Sequence, residues 1–313
     1  MQSDYQAMAI QAFGEAGVLK PITLPMPQIT DGELLVKVLS TSINPIDVKT
    51  RAGIGFAAEQ NKHNLPLVLG YDLFGEVVEC APDIKGFEQG DLVMGMVGFA
   101  TQPGTYGQYA NARANEVIKV SKENANSLLS GLCLAGLTAF QAISALACPK
   151  TQPIYINGAT GSVGSLAVQI ARNMGYSVIA VTRSELPETL GVDITSMSYD
   201  EFVKVPAKRH LIDVVGMEVG MRCLQGLSAQ SEVVTIPTLS QGQIIQGAQM
   251  QGVKAQGVLV VKNNAQLACL YNWFKQGTLA LMHRTMPLSA AGLAHQQIEQ
   301  NICKGKVILL PWS

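Results

Sequence analysis

Over the first 120 positions apolar and polar residues change places in short runs. Residues 33–40 (ELLVKVLS) alternate in part, and residues 75–80 (GEVVEC) and 91–98 (DLVMGMVG) are brief apolar stretches. Thr30-Asp31-Gly32, Ala81-Pro82-Asp83 and Gln89-Gly90-Asp91 supply turns between them. The pattern predicts an antiparallel, glycine-punctuated β region. Residues 54–66 have no period and read as an exposed loop. After Val120 the texture changes. Residues 126–146 are rich in Leu and Ala and predict a helix broken near Gly136-Leu137-Thr138. Apolar strands follow at 153–156, 177–181, 211–215 and 232–236, with a helix over 165–174 that Gly175 ends. Uninterrupted apolar strands separated by helices predict a parallel sheet covered on both faces. Residues 288–300 predict a helix and 305–310 a last strand, while the Gln- and Gly-rich residues 240–256 carry no assignable pattern.

The order of these elements implies an α/β protein of two domains: a mostly-β domain over 1–125, a doubly wound parallel sheet over 126–265, and a segment 266–313 that returns to complete the first. A length of 313 residues suits two ordinary domains. Hydrophobic residues make up 48% and charged residues 14%, so a large core is available. The mean hydropathy of +0.21 raises the question of a membrane. No run of 18 apolar residues free of charge or breakers answers it, so no membrane partner is expected. A net charge of -1 offers no basis for binding nucleic acid. The start MQSDYQAMAI has no basic stretch leading into an apolar run, so no signal peptide is expected. The six cysteines are widely scattered and are expected as reduced thiols in the cytoplasm.

The densest chemistry lies at residues 154–175 (IYINGATGSVGSLAVQIARNMG). A strand runs into a glycine cluster and then into an apolar-periodic helix, the setting of a dinucleotide fingerprint. The usual G-x-G-x-x-G stands here as Ala159, Gly161 and Gly164, with Gly158 before them and Thr160 between. Gly161 lets the backbone approach a pyrophosphate, and Gly164 lets the helix pack close to the strand. Ser162 and Val163 offer amides at the positive end of the helix. A ligand-free βα turn is the alternative. No acidic residue ends the next strand, where NAD enzymes place a ribose ligand. Thr182-Arg183-Ser184 stands there instead. Arg183 can pair with a 2′-phosphate, with hydrogen bonds from Thr182 or Ser184. NADPH is therefore the expected cofactor, with NADH possible.

Several motifs in order, Asn44-Pro45-Ile46-Asp47 with Arg51, residues 69–78 (LGYDLFGEVV), 135–139 (AGLTA), 157–164 (NGATGSVG), 212–216 (IDVVG) and 305–309 (GKVIL), carry a resemblance over nearly the whole chain. The chain resembles the medium-chain dehydrogenase/reductase superfamily in its zinc-independent, quinone oxidoreductase-like branch. The resemblance implies a GroES-like catalytic domain, a Rossmann domain and a homodimer. It also implies hydride transfer from NADPH to a quinone or to the activated double bond of an enone or enal. Zinc-bearing relatives use Cys where this chain has Asn44 and His-Glu where it has Tyr71-Asp72, so no metal is expected. By the same resemblance Asn44 and Asp47 lie beside the nicotinamide. Asn44 is expected to donate through its amide, and Asp47 to orient Arg51 or the local loop, with a structural ion pair as the plain alternative. Tyr71 is expected either to hydrogen-bond the acceptor, where charge grows during the reaction, or to pack. Thr138 contacts the cofactor or packs its helix. Ile54, Phe56 and His63 are expected to line an apolar substrate wall. Two further readings stay open: reduction of a 2-enoyl thioester, and a dinucleotide-binding protein without turnover.

Overall fold

Residues 3–190 and 194–313 are described in the computed structural model. In chain order the first stretch contains β1 (Asp4–Ile10), β2 (Leu19–Pro25), β3 (Glu33–Ser42), α1 (Pro45–Arg51), α2 (Phe56–Asn61), β4 (Leu67–Val68), β5 (Asp72–Cys80), β6 (Leu92–Met96), β7 (Tyr109–Arg113) and β8 (Val117–Val120). The middle contains α3 (Cys133–Ala145), β9 (Ile154–Asn157), α4 (Ser162–Asn173), β10 (Val178–Val181), β11 (Thr195–Met197), α5 (Tyr199–Lys204), β12 (His210–Asp213), α6 (Met217–Leu224), β13 (Glu232–Thr235), α7 (Gln241–Gln249) and β14 (Lys254–Gly257). The end contains α8 (Asn264–Lys275), β15 (His283–Pro287), α9 (Ala291–Glu299) and β16 (Lys306–Leu310). By contacts the chain divides into a first unit, residues 1–134, 262–271 and 283–313, and a second, residues 135–261 and 272–282.

In the first unit seven strands make one sheet in the order β15-β16-β3-β5-β6-β8, with β7 also paired to β3. The C-terminal strand enters next to β3, antiparallel, with Ile308 opposite Ser42 and Leu309 opposite Thr41. Leu34, Val36 and Val38 alternate inward along β3 and join Leu73, Val77 and Val93 in a buried core. A second core gathers Met8, Ile10, Val48, Leu69, Tyr106, Ala291, Ala294 and Leu309, binding α1 and α9 to the strands between them.

The second unit holds a six-stranded sheet in the order β11-β10-β9-β12-β13-β14, and every pairing is parallel. Its order turns back between β9 and β12, the switch point where doubly wound folds place their ligands. Ile154, Ile156, Leu211, Ile212, Val233 and Val234 are all fully buried, as strands covered on both faces require.

Four expectations change. Residues 54–66 contain α2, which buries Ala57, Ala58 and Asn61 rather than forming an exposed loop throughout. The break in residues 126–146 falls earlier: a 3-10 stretch, Ser127–Leu132, gives way to α3, which runs unbroken through Gly136-Leu137-Thr138. Residues 240–256 form α7 and β14. The segment Ser127–Ala145 is long and apolar enough to cross a membrane, but 72% of its most apolar window is buried inside the protein.

Candidate active site

In the first unit Asn44 ends the turn from β3 and caps α1, whose first residue is Pro45. Its backbone amide donates to Asp47 Oδ2 at 2.7 Å. Its side chain is buried and doubly held. Nδ2 donates to Asp72 Oδ2 at 2.7 Å, and Oδ1 accepts from Lys306 Nζ. These two bonds fix which way the amide faces. Asp72 Oδ2 also accepts from the Ser42 hydroxyl, and its Oδ1 accepts from the Leu134 amide at 2.7 Å. Lys306 Nζ lies 3.3 Å from Asp72 Oδ2, an ion pair buried on both sides. A carboxylate, an ammonium, an amide and a hydroxyl thus form one closed polar knot. Sequence reading singled out Asn44 and overlooked Ser42 and Lys306, which only the pairing of β16 with β3 brings together.

Asp47 does not pair with Arg51. Arg51 instead forms an ion pair with Glu299, and Asp47 holds the Asn44 amide. Burial raises the Asp47 carboxyl to about 7. The Asn44 amide, the Lys306 charge and the Gly70 amide pull it down, and the Asp72 charge pushes it up. Tyr71 is buried, and its hydroxyl donates to the Ala100 carbonyl at 3.3 Å. Burial, and then the charge of Asp47, raises its pKa well above the ordinary phenol value. Tyr71 is thereby a weak acid with its proton engaged, and its ring does structural service. It meets Phe99 edge-on at 5.3 Å, and Phe99 meets Phe56 at 6.5 Å. Phe56 therefore belongs to an aromatic run, whereas Ile54 and His63 are exposed.

In the second unit β9 delivers the chain to Gly158, which turns with φ +62°. The Gly158 amide donates to Val181 O at 3.1 Å and to the Tyr199 hydroxyl at 3.2 Å. Ala159 is buried, Thr160 is half-buried, and Gly161 caps α4 without any side-chain bond to its amides. The helix begins at Ser162, three residues before the position expected from the sequence, so Ser162, Val163 and Gly164 form its first turn with their amides at the positive end. A Cβ on Gly164 would stand 2.2 Å from Gly158 O, so only glycine lets α4 begin this close to the loop. A dinucleotide diphosphate fits this turn: bare amides, a helix N-terminus and no side chain in the way. Beneath the loop Asn157 Nδ2 donates to Asp213 Oδ1 at 2.7 Å, and Asp213 also accepts from Thr235, Val215 and Gly216. This buried network, which sequence reading did not anticipate, ties together the ends of β9, β12 and β13.

After β10, Thr182 is buried and its hydroxyl is bound to the backbone of Ser184, where it shapes the turn. Arg183 and Ser184 are exposed, and among the described residues no ion pair engages Arg183. Thr138 is buried on α3. Among the described residues no group of three or more His, Cys, Asp or Glu is arranged to hold a metal ion.

Two family models match parts of the chain. Residues 30–122 match the alcohol dehydrogenase GroES-like domain, and residues 200–309 match the zinc-binding dehydrogenase model. The solved structure of a quinone oxidoreductase from Coxiella burnetii is 32% identical, with a TM-score of 0.90 over 98% of this chain and 99% of that one. The 2-methylene-furan-3-one reductase of Solanum lycopersicum is 30% identical over 230 residues, which cover 70% of this chain and 58% of that protein. The NADPH-dependent alkenal/one oxidoreductase of Arabidopsis thaliana is 27% identical over 98% of this chain and 80% of its own length. The chain thus spans less than two thirds of the tomato reductase.

Proposed function

The chain belongs to the medium-chain dehydrogenase/reductase superfamily, in its quinone oxidoreductase-like branch, a family of NAD(P)H-dependent oxidoreductases, and from that premise we propose that it reduces a quinone or the activated double bond of an enone or enal with NADPH. The observation that carries this reading is the first turn of α4, where Ser162, Val163 and Gly164 offer amides behind a glycine that adds no side chain. NADPH, when bound, supplies the hydride. Every other part of the task falls to the chain. The three amides hold the diphosphate, and Tyr199 and the Asn157–Asp213–Thr235 network keep the loop in place. Arg183, exposed at the end of β10, receives the 2′-phosphate where an acidic residue would repel it. The resemblance of the tomato and Arabidopsis reductases, named for enone and alkenal substrates, supports the acceptor class.

In the first unit Asn44 is the donor of choice for an acceptor oxygen. Lys306 and Asp72 hold its amide in one orientation, so its remaining N–H is presented without a search over rotamers. Phe56 and Phe99, half-buried and held edge-on by Tyr71 behind them, offer an apolar border suited to a conjugated acceptor. The positions that hold zinc in other members carry Asn44 and Tyr71-Asp72, and Asp72 is committed to Lys306, Asn44, Ser42 and Leu134. A homodimer in the cytoplasm completes the reading, and the six cysteines, all free, support a reducing compartment. The test is turnover. Purified protein is mixed with NADPH or NADH and a panel of quinones, enones, enals and enoyl thioesters, and absorbance at 340 nm is followed. Oxidation of NADPH with quinones or enones is expected. Tight cofactor binding with no turnover on any acceptor would overturn the reading.

A further inference from the structure

Buried polar side-chain atoms without a partner are rare, and each calls for a water, an ion or a role. Eight occur among the described residues, and five of them are Asp47 Oδ1, Thr50 Oγ1, Arg51 Nε, Arg51 Nη1 and His295 Nδ1. They lie together. Asp47, Thr50 and Arg51 stand three and four residues apart on α1, so they share one face, and all three are buried. Arg51 crosses to α9 through its ion pair with Glu299, and His295 sits on α9. Tyr106 stands between the two helices. Its hydroxyl is 3.1 Å from His295 Nε2, its ring meets the imidazole edge-on at 5.8 Å, and it also faces Asp47. Past Arg51 and Glu299 the same unit opens into a groove of about 1050 Å³, lined in part by Lys20 and Gln296.

Donors and acceptors in this set do not pair off directly. The two Arg51 groups can only donate. When Tyr106 donates to His295 Nε2, His295 Nδ1 carries a proton and becomes a third unmet donor, while Asp47 Oδ1 accepts. Water both accepts and donates twice, and so satisfies such a set where no single side chain can. We propose that waters held by these atoms form a proton path from the groove at Glu299 and Arg51, through His295 and Tyr106, to Asp47 beneath Asn44. The proposal rests on the reductase reading, since only reduction consumes a proton. Reducing an activated double bond breaks the C–H bond of the dihydronicotinamide and forms a C–H bond on the acceptor. The π pair moves to the carbonyl, and the resulting enolate takes one proton. Protonated Asp47 releases that proton toward the enolate. The relay runs from the other tautomer, in which Nε2 carries the proton and donates to Tyr106, Tyr106 donates to Asp47, and Nδ1 accepts from water. Tyr106 reprotonates Asp47, His295 Nε2 reprotonates Tyr106, water in the path protonates His295 at Nδ1, and a turn of the ring restores the starting tautomer. Charge favours this route: His295 is kept neutral by burial and by Arg51, and Asp47 faces Asp72, Lys306, Tyr71 and Tyr106. Neutral imidazole accepts at one nitrogen and donates at the other.

Two measurements test it. A crystal structure at a resolution that shows waters is expected to place ordered water within hydrogen-bond distance of both Arg51 Nη1 and His295 Nδ1. Dry packing there overturns the path whether or not the chain turns over. With an acceptor in hand, Tyr106→Phe is expected to lower kcat about tenfold and leave the KM for NADPH unchanged. The solvent deuterium isotope effect should rise, and imidazole in the buffer should restore the rate. Unchanged kcat and isotope effect overturn the proposal. Should Tyr106→Phe fail to fold, Thr50→Val is judged by the same two readouts. Ordered waters in a protein that turns over no acceptor defeat the reductase reading and, with it, the proton path, leaving hydration alone.

Discussion

Lys306 is the side chain that closes the polar knot around Asn44. Its ammonium bonds the Asn44 carbonyl and pairs with Asp72, with both charges out of water. Burying such a pair costs desolvation, and removing one partner strands the other. Lys306→Met leaves the Asp72 carboxylate with donors but no cation, and is expected to cost about 3–5 kcal/mol of stability in urea unfolding at pH 7. Lys306→Met with Asp72→Leu should recover much of that loss. A single variant as stable as the parent would show that the pair holds nothing. Arg183 is a different case, since it is exposed and no ion pair among the described residues engages it. Arg183→Glu is expected to weaken NADPH binding by about tenfold or more while changing NADH binding little. Equal losses for the two cofactors in calorimetry would remove Arg183 from the site.

At the scale of elements the proposed cofactor site is the βα turn from β9 to α4. Gly164→Ala puts a methyl 2.2 Å from the Gly158 carbonyl, a backbone atom that cannot swing aside. The start of α4 must then move off the loop, and at least a tenfold loss of affinity for both cofactors is expected by fluorescence titration, since a diphosphate site depends on amide positions. Full affinity would mean that the turn is not the site. This element was legible in the sequence because strand, glycine cluster and amphipathic helix are local signals. The helix α2 was not, because six residues whose buried side chains are Ala57, Ala58 and Asn61 carry too little pattern to set a period. Nor does anything local in Gly136-Leu137-Thr138 say that α3 continues; the burial of Leu134, Ala135, Leu137 and Ala139 overrides the weak propensity of one glycine. In the site, Asn44 was legible by motif. Lys306 was not, because it reads as an ordinary residue at the start of a strand until Ile308 is set opposite Ser42. Tyr199 was hidden for the same reason, since its hydroxyl reaches Gly158 only once the chain has folded.

For the molecule as a whole, two buried groups of the first unit set opposing pH dependences. Burial, then Arg51, lowers the His295 pKa to about 3, against roughly 6.5 when unfolded. Its folded pKa is depressed, so its contribution is present above about pH 6.5 and is lost as pH falls toward 3. Asp47 behaves in the opposite sense. Its folded pKa is raised to about 7, against roughly 3.9 unfolded. Its contribution is therefore complete below about pH 4 and is lost as pH rises through 7. Over the window from about pH 4 to 7 the two slopes oppose each other, and each can amount to several kcal/mol. Removing one group exposes the other. Relative to the parent, the stability of His295→Gln should fall more steeply, or rise less, as pH increases from 4.5 to 7. Asp47→Asn should show the reverse, losing more stability than the parent as pH falls across the same window. The slopes matter here and not the absolute losses, since each substitution also removes a hydrogen bond, to Tyr106 or to the Asn44 amide. Urea unfolding of the three proteins at four or five pH values separates the two contributions. Parallel curves for parent and variants would show that neither group changes its affinity for protons on folding, and the buried relay between α1 and α9 would lose its electrostatic basis.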